Sequence, residues 1–222
     1  MSTPKRTPPV LDAEELRQTD KDGTMMPAQK RMLSFINEND EYTSHHPGLS
    51  HLINFYDVLN INLPPESYER IVRMHQEFFV DPTTPPFKFT TFPNEERMTD
   101  LVIVRNIGFY SMCEHHMVPF FGVVHVGYLP HERIVGLSKL ARLVDWYARR
   151  PQLQERLTSQ IANYIQDELR PKGTMVVVKA KHLCMAMRGA KNDTADTVTS
   201  ALRGVFLAQP EARNEFLRLI KE

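Results

Sequence analysis

Cysteine is nearly absent from these 222 residues, which contain only Cys113 and Cys184. Two thiols do not make a disulfide framework in a chain of this size, so a cytoplasmic protein with reduced thiols is expected. No run of 18 or more apolar residues occurs, which leaves no candidate membrane-spanning helix. An excess of one charge is missing too, because 27 Lys+Arg balance 27 Asp+Glu. Broad electrostatic capture of nucleic acid therefore has no source, and neither nucleic acid nor a membrane is an expected partner. The first residues, MSTPKRTPPVLDAEELRQTDKDG, lack the apolar core of a secretory signal. There is no internal repeat.

What is present falls into three stretches: a flexible N-terminal arm over 1–30, an N-terminal helical region over 31–95 and a mixed helix-and-strand domain over 96–222. The arm is charged, Pro-containing and aperiodic. From Pro47 to Ile61, Leu49, Leu52, Ile53, Tyr56, Val58 and Leu59 recur near helical spacing. A second helix is predicted from about Pro65 to Phe79, with Ile71, Val72, Met74, Phe78 and Phe79 on one face. Asp81-Pro82 ends it, and the Pro-rich stretch to Pro93 reads as loop.

The period then changes. Leu101–Val104 and PFFGVVHVGYL (Pro119–Leu129) are β-type runs. Gly136 precedes a helical stripe of Leu137, Leu140, Leu143, Val144 and Tyr147. Pro151 suits the first turn of the next helix, whose core face is Leu153, Leu157, Ile161, Ile165 and Leu169. Met175–Leu183 alternates like a strand, Thr194–Phe206 is its expected antiparallel partner, and Glu211–Ile220 closes the chain as a helix. The predicted class is α+β, with a four-stranded antiparallel sheet and helices on one side. Its exposed sheet edges suggest assembly into an oligomer.

Both cysteines sit beside histidine, in Cys113-Glu114-His115-His116 and His182-Leu183-Cys184. Thiolate sulfur and imidazole nitrogen suit zinc, and two Cys with one His form a known catalytic ligand set. Cys113 and His116, three residues apart, can be aimed by one turn; Cys184 must arrive from another strand. The plain alternative is two buried cysteines with histidines nearby by chance. Against it, three of the nine histidines flank the only two cysteines. A structural zinc completed by His115 or His182 stays open on ligand count alone. With three ligands, the fourth position holds a water whose pKa zinc lowers to about 7. His115 and His182 would then flank that water as proton carriers.

In GLSKLAR, Lys139 and Arg142 are three apart near a helix N-terminus, where backbone N–H groups favour phosphate. Arg188 follows Cys184 by four residues. Exposed helix cations are also an ordinary solvated face. Gln154 and Glu155 open the next helix, where Glu either complements the helix dipole or accepts two N–H bonds from a guanine edge. The residues alone leave that choice open.

CEHHMVPFFG, GLSKLARLVDWYARRPQLQERLT and KHLCMAMRG resemble, in order, the signature segments of GTP cyclohydrolase I, the type I zinc enzyme, over roughly residues 100–220. The resemblance implies a tunnelling fold and a toroidal homodecamer, two pentamers joined with active sites at subunit interfaces. It implies conversion of GTP and water to 7,8-dihydroneopterin triphosphate and formate, the entry reaction of folate, biopterin and deazaguanine routes. By motif position, Cys113, His116 and Cys184 hold Zn²⁺, so His116 acts through the metal, while His115 and His182 serve acid–base steps, with His182 the donor to N7. Glu155 grips guanine, Gln154 and Ser138 help place the ribose and nearby atoms, and Lys139, Arg142 and Arg188 hold the triphosphate. Where the family has Thr-Pro-x-Arg, this chain reads Ser67-Tyr68-Glu69-Arg70; Arg70, with Arg73 beside it, is implied to reach a neighbouring subunit's triphosphate.

Overall fold

Four long antiparallel strands form the frame of the site, with Cys113 and His182 each closing one of them. The computed structural model describes residues 49–221, so the arm predicted over 1–30 lies outside the described residues. The backbone separates into two compact units, the first ending at Glu77 and the second starting at Phe78.

In the first unit, α1 (Leu49–Val58) and most of α2 (Pro65–Phe78) pack through Leu49, Ile53 and Tyr68. Pro65 opens α2 where its missing N–H costs nothing, and Glu66 complements the helix dipole. The apolar faces differ from expectation. Val58 and Leu59 are 80% and 50% exposed, because α1 stops at Val58 and Asn60 turns left-handed, with Ile61 N–H donating to Tyr56 O at 2.9 Å. Met74 is also exposed, while Tyr68 takes a core position and meets Tyr56 edge-on.

The second unit begins earlier than the boundary drawn at 95/96, because Val80, Phe87 and Phe89 pack on its main core. The Pro-rich stretch expected as loop ends in a strand, β1 (Thr91–Pro93), paired with β4 (Arg133–Val135). The larger sheet has the order β5-β2-β3-β6-β7. Its members are β2 (Val102–Cys113), β3 (Pro119–Leu129), β5 (Pro151–Gln152), β6 (Gly173–His182) and β7 (Thr197–Gly204). β2, β3, β6 and β7 pair antiparallel, as the order of elements predicted. β2 runs well beyond Val104, through a register shift at Arg105–Asn106 where Asn106 has φ 58°. Gly122 faces Ala180 across β3 and β6, so close that a Cβ there would strike the Lys179 carbonyl.

Pro151 is not in a helix. It forms the short β5, which pairs parallel with Met112 and Cys113; proline is tolerated because the strand lies at the sheet edge. The helix starts at Gln154 instead. One sheet face is covered by α3 (Leu137–Ala148) and α4 (Gln154–Leu169), through Leu140, Leu143, Val144, Leu157, Ile161 and Ile165, all fully buried. Each such side chain contributes about 1.5–3 kcal/mol by leaving water. Leu137, predicted on this stripe, is 57% exposed in the first turn. At one end of the opposite face, Met175 and Val177 meet Phe206 of α6 (Val205–Ala208) and Phe216 of α7 (Pro210–Leu219). Gly127 lets the Phe216 ring lie against β3, in space a Cβ would fill. No described helix is long and apolar enough to cross a membrane.

Candidate metal centre and catalytic site

β2 ends at Cys113 because the chain turns back at once into β3. Cys113 N–H donates to Val118 O at 2.9 Å, Met117 N–H to Cys113 O at 2.7 Å, and Met117 takes a left-handed φ of 51°. This turn brings His116 Nδ1 to 3.9 Å from Cys113 Sγ. Cys184 arrives on α5 (Leu183–Ala186), directly after β6, whose His182 pairs with Phe120 of β3. Its sulfur stands 4.0 Å from that of Cys113, and both thiols are free.

The three donor atoms lie within 4.8 Å of one another. Metal–sulfur and metal–nitrogen bonds of about 2.3 and 2.0–2.1 Å in a tetrahedron require donor separations of roughly 3.5–3.8 Å. The observed spacing is close to that, and two sulfurs with one imidazole suit a borderline-soft divalent ion. Burial, then the neighbouring Cys113 sulfur, push the Cys184 thiol above its ordinary value; a cation among the three atoms offsets both effects. His115 and His182 are not in the donor group.

His182 lies flat against Phe120, 4.6 Å between centroids and 5° between planes. Its Nε2 is 2.8 Å from Gln154 Oε1. Burial lowers the imidazole below its ordinary value, against an opposing pull from the Glu155 carboxylate. Glu155 itself is exposed at the N-terminus of α4, so it stands beside His182 with its carboxylate open. Gln154, by contrast, is 1% exposed. Its Nε2 faces Val178 O, Thr197 O and Thr199 Oγ1 at 3.2, 3.0 and 3.1 Å. The side chain presents no surface to a ribose here. Arg188 lies close enough to Cys184 to favour its thiolate.

Other sequence-predicted residues stand elsewhere. The C-terminal end of α3 is beside the metal turn, since Ser111 Oγ donates to Ala148 O at 2.7 Å. The N-terminal end is beside β1 and the far end of β3, where Val135 N–H donates to Tyr128 OH. A 12-residue helix spans about 18 Å. Ser138, Lys139 and Arg142 in its first half are thus separated from the donors within one chain. Arg70 is an exposed residue of α2 in the first unit, and Arg73 beside it pairs with Glu69 at 3.9 Å.

Sequence reading missed several supports. Arg156 pairs with Glu114 at 2.6 Å and holds that carboxyl below its usual range, while Glu114 N–H donates to Gln152 O at 2.9 Å. Both contacts fasten the metal turn to the start of α4. Phe120, Thr158 and Thr199 were invisible as site residues because apolar and hydroxyl side chains in strands and helices carry no chemical signature.

The sequence profile of the GTP cyclohydrolase I family matches residues 51–221. The chain is 50% identical over 156 residues to GTP cyclohydrolase 1 of Aquifex aeolicus (strain VF5), covering 70% of this chain and 83% of that one. It is 53% identical over 155 residues to GTP cyclohydrolase 1 of Geobacillus kaustophilus (strain HTA426), covering 69% and 82%. Among solved structures, the apo archaeosine synthase QueF-Like overlaps 47% of this chain and 93% of its own, with 21% identity and a TM-score of 0.38, a likeness too slight to bear on fold or activity.

Proposed function

The chain belongs to the GTP cyclohydrolase I family, and we propose on that footing that it converts GTP and water to 7,8-dihydroneopterin triphosphate and formate. The observation that carries this reading is the three-donor group of Cys113, His116 and Cys184, with His182 two residues before Cys184 and Glu155 close to His182.

Zinc is the ion we assign to that group, where it would supply Lewis-acid polarisation and a water of lowered pKa. The chain's own residues do the rest. Glu155, an open carboxylate, accepts from the ring N–H and amino group of guanine; adenine would leave those acceptors unmatched, a cost of about 1–3 kcal/mol. His182 and His115 move protons at the imidazole ring of the base as it opens and loses formate. Lys139, Arg142 and Arg188 hold the triphosphate, Ser138 helps seat the nucleotide, and Arg70, with Arg73 beside it, reaches the triphosphate of a neighbouring subunit.

Because Ser138 and Lys139 sit at the opposite end of α3 from the metal donors, with Arg142 midway along it, we assign all three to the site of a neighbouring subunit. That supports an oligomer with sites at its interfaces, and we read the particle as a decamer of two pentamers. We take the compartment to be the cytoplasm, where two free thiols stay reduced.

The test is direct. Purified protein with zinc and GTP is followed for formate and for pterin absorbance or fluorescence. Turnover lost in Cys184→Ala and without metal is the expected result; tight GTP binding with no formate from the metal-loaded wild type refutes it.

A further inference from the structure

Gln154, His182, Thr158 and Thr199 are joined by hydrogen bonds whose directions can be fixed by counting protons. Gln154 Nε2 faces two backbone carbonyls, Val178 O and Thr197 O, at 3.2 and 3.0 Å. Carbonyls only accept, so the amide nitrogen must be the atom on that side and Oε1 the atom at His182. Thr158 Oγ1 is 2.6 Å from Gln154 O, which again only accepts, so the single Thr158 proton points there. Thr199 Oγ1 is 2.6 Å from Thr158 Oγ1. Its own proton must fill that contact, which leaves Thr199 only lone pairs to offer Gln154 Nε2 at 3.1 Å. The two Nε2 protons are spread over three acceptors, one N–H being shared, and every bond in the chain still runs one way, so Oε1 is left as an acceptor facing His182 Nε2 at 2.8 Å.

We propose that Gln154 is a positioning residue that locks the neutral His182 ring as the Nε2–H tautomer and leaves Nδ1 as the ring nitrogen that meets substrate. An Nδ1–H ring would set the bare Nε2 lone pair against Oε1, two acceptors at hydrogen-bond distance in a site where Gln154 is 1% exposed, a mismatch that burial leaves no water to relieve. Phe120, fully buried, fixes the ring plane from below, so the imidazole cannot swing away from the amide. Among the described residues His182 Nδ1 has no hydrogen-bond partner within the chain. The catalytic meaning of this lock rests on the GTP cyclohydrolase reading, since a hydrogen bond or proton passing between ring and substrate then passes at Nδ1. The tautomer itself does not depend on that reading. It also recasts Gln154, which the sequence resemblance had assigned to the ribose.

The experiment uses the assembled, metal-loaded enzyme labelled with nitrogen-15 histidine, with the His182 signals assigned by their absence in His182→Gln. The neutral wild-type ring is expected to show a protonated, pyrrole-type Nε2 and a pyridine-type Nδ1. The opposite tautomer overturns the proposal, and this measurement needs no variant of Gln154. In Gln154→Leu, similar in volume but unable to accept, a mixture of tautomers is expected, with kcat down about 10- to 100-fold and the KM for GTP within about two-fold of wild type. A raised KM with the wild-type tautomer retained would make Gln154 a substrate contact and overturn the proposal. A wild type that makes no formate from GTP defeats the functional reading alone, while the tautomer still decides the role of Gln154.

Discussion

Phe120 and His182 face each other across β3 and β6 as backbone partners and as stacked rings, with 5° between their planes. The benzene ring is fully buried and serves as the floor of the His182 imidazole. Phe120→Leu keeps an apolar side chain but removes the flat support. The expected outcome is a stability loss of about 1–2 kcal/mol, the range for a modest core truncation with loss of an aromatic contact, together with a lower kcat. Denaturant unfolding and steady-state kinetics check the two effects; a kcat equal to wild type contradicts the role given to the ring.

Metal removal should expose how much the two sulfurs depend on a cation. Cys184 sits 4.0 Å from Cys113 with its thiol pushed up by burial and by that neighbour, so bare protein holds protons where metal must displace them. Chelation is expected to abolish turnover and lower the thermal midpoint, with zinc restoring both. Cys184→Ser should bind substoichiometric metal by elemental analysis. Full metal content in that variant would remove Cys184 from the ligand set.

Glu155 stands at the N-terminus of α4, close enough to His182 to pull its pKa upward, yet it is outside the donor group. Glu155→Ala is expected to reduce kcat/KM for GTP by a factor of a hundred or more, corresponding to about 3 kcal/mol, with metal content intact. Loss of zinc from this variant would contradict a base-reading carboxylate.

The separation of Lys139 and Arg142 from the metal donors along α3 yields a complementation experiment. Cys184→Ala and Arg142→Ala proteins, each inactive alone, are unfolded together and reassembled in equal amounts. If each site takes its metal half from one subunit and its anion half from another, about one quarter of sites receive two intact halves and activity returns. Mixtures as inactive as their parents would place both halves in one chain.

His125 gives a pH signature unconnected to the metal. It is 7% exposed, its Nδ1 accepts from Asn106 N–H at 3.3 Å, and burial, aided by Arg105, lowers its pKa below the ordinary 6.5. With the folded value below the unfolded one, its contribution is fully present above about pH 6.5. As pH falls the unfolded chain takes the proton first, and the contribution is lost down through the folded pKa. Denaturation midpoints should therefore drop more steeply below about pH 6.5 in wild type than in His125→Gln. Parallel curves would show that burial at this position carries no proton linkage.

Much of this was legible from residue order. The β-type run of Pro119–Leu129 and the alternation in Met175–Leu183 gave two central strands, and the stripe from Leu157 to Leu169 gave the main covering helix. Elsewhere local pattern misled. Pro151 looked like a helix start but forms an edge strand, because Gln152 O has a partner in Glu114 N–H. For Gln154 the residues alone gave no role, only the resemblance did, and its amide turns inward to Val178, Thr197 and Thr199.

By itself the sequence determined the donor chemistry, since Cys-x-x-His and His-x-Cys carry sulfur and imidazole wherever the chain goes, and it determined the periods that make strands and helices. Only the tertiary structure decided that β6 runs beside β3, so that Cys184 meets Cys113 across 71 positions (184 − 113), and that His182 is wedged between Phe120 and Gln154. Pairings of that kind depend on strand register and burial, which arise from contacts between distant residues and leave no mark on their neighbours in the chain.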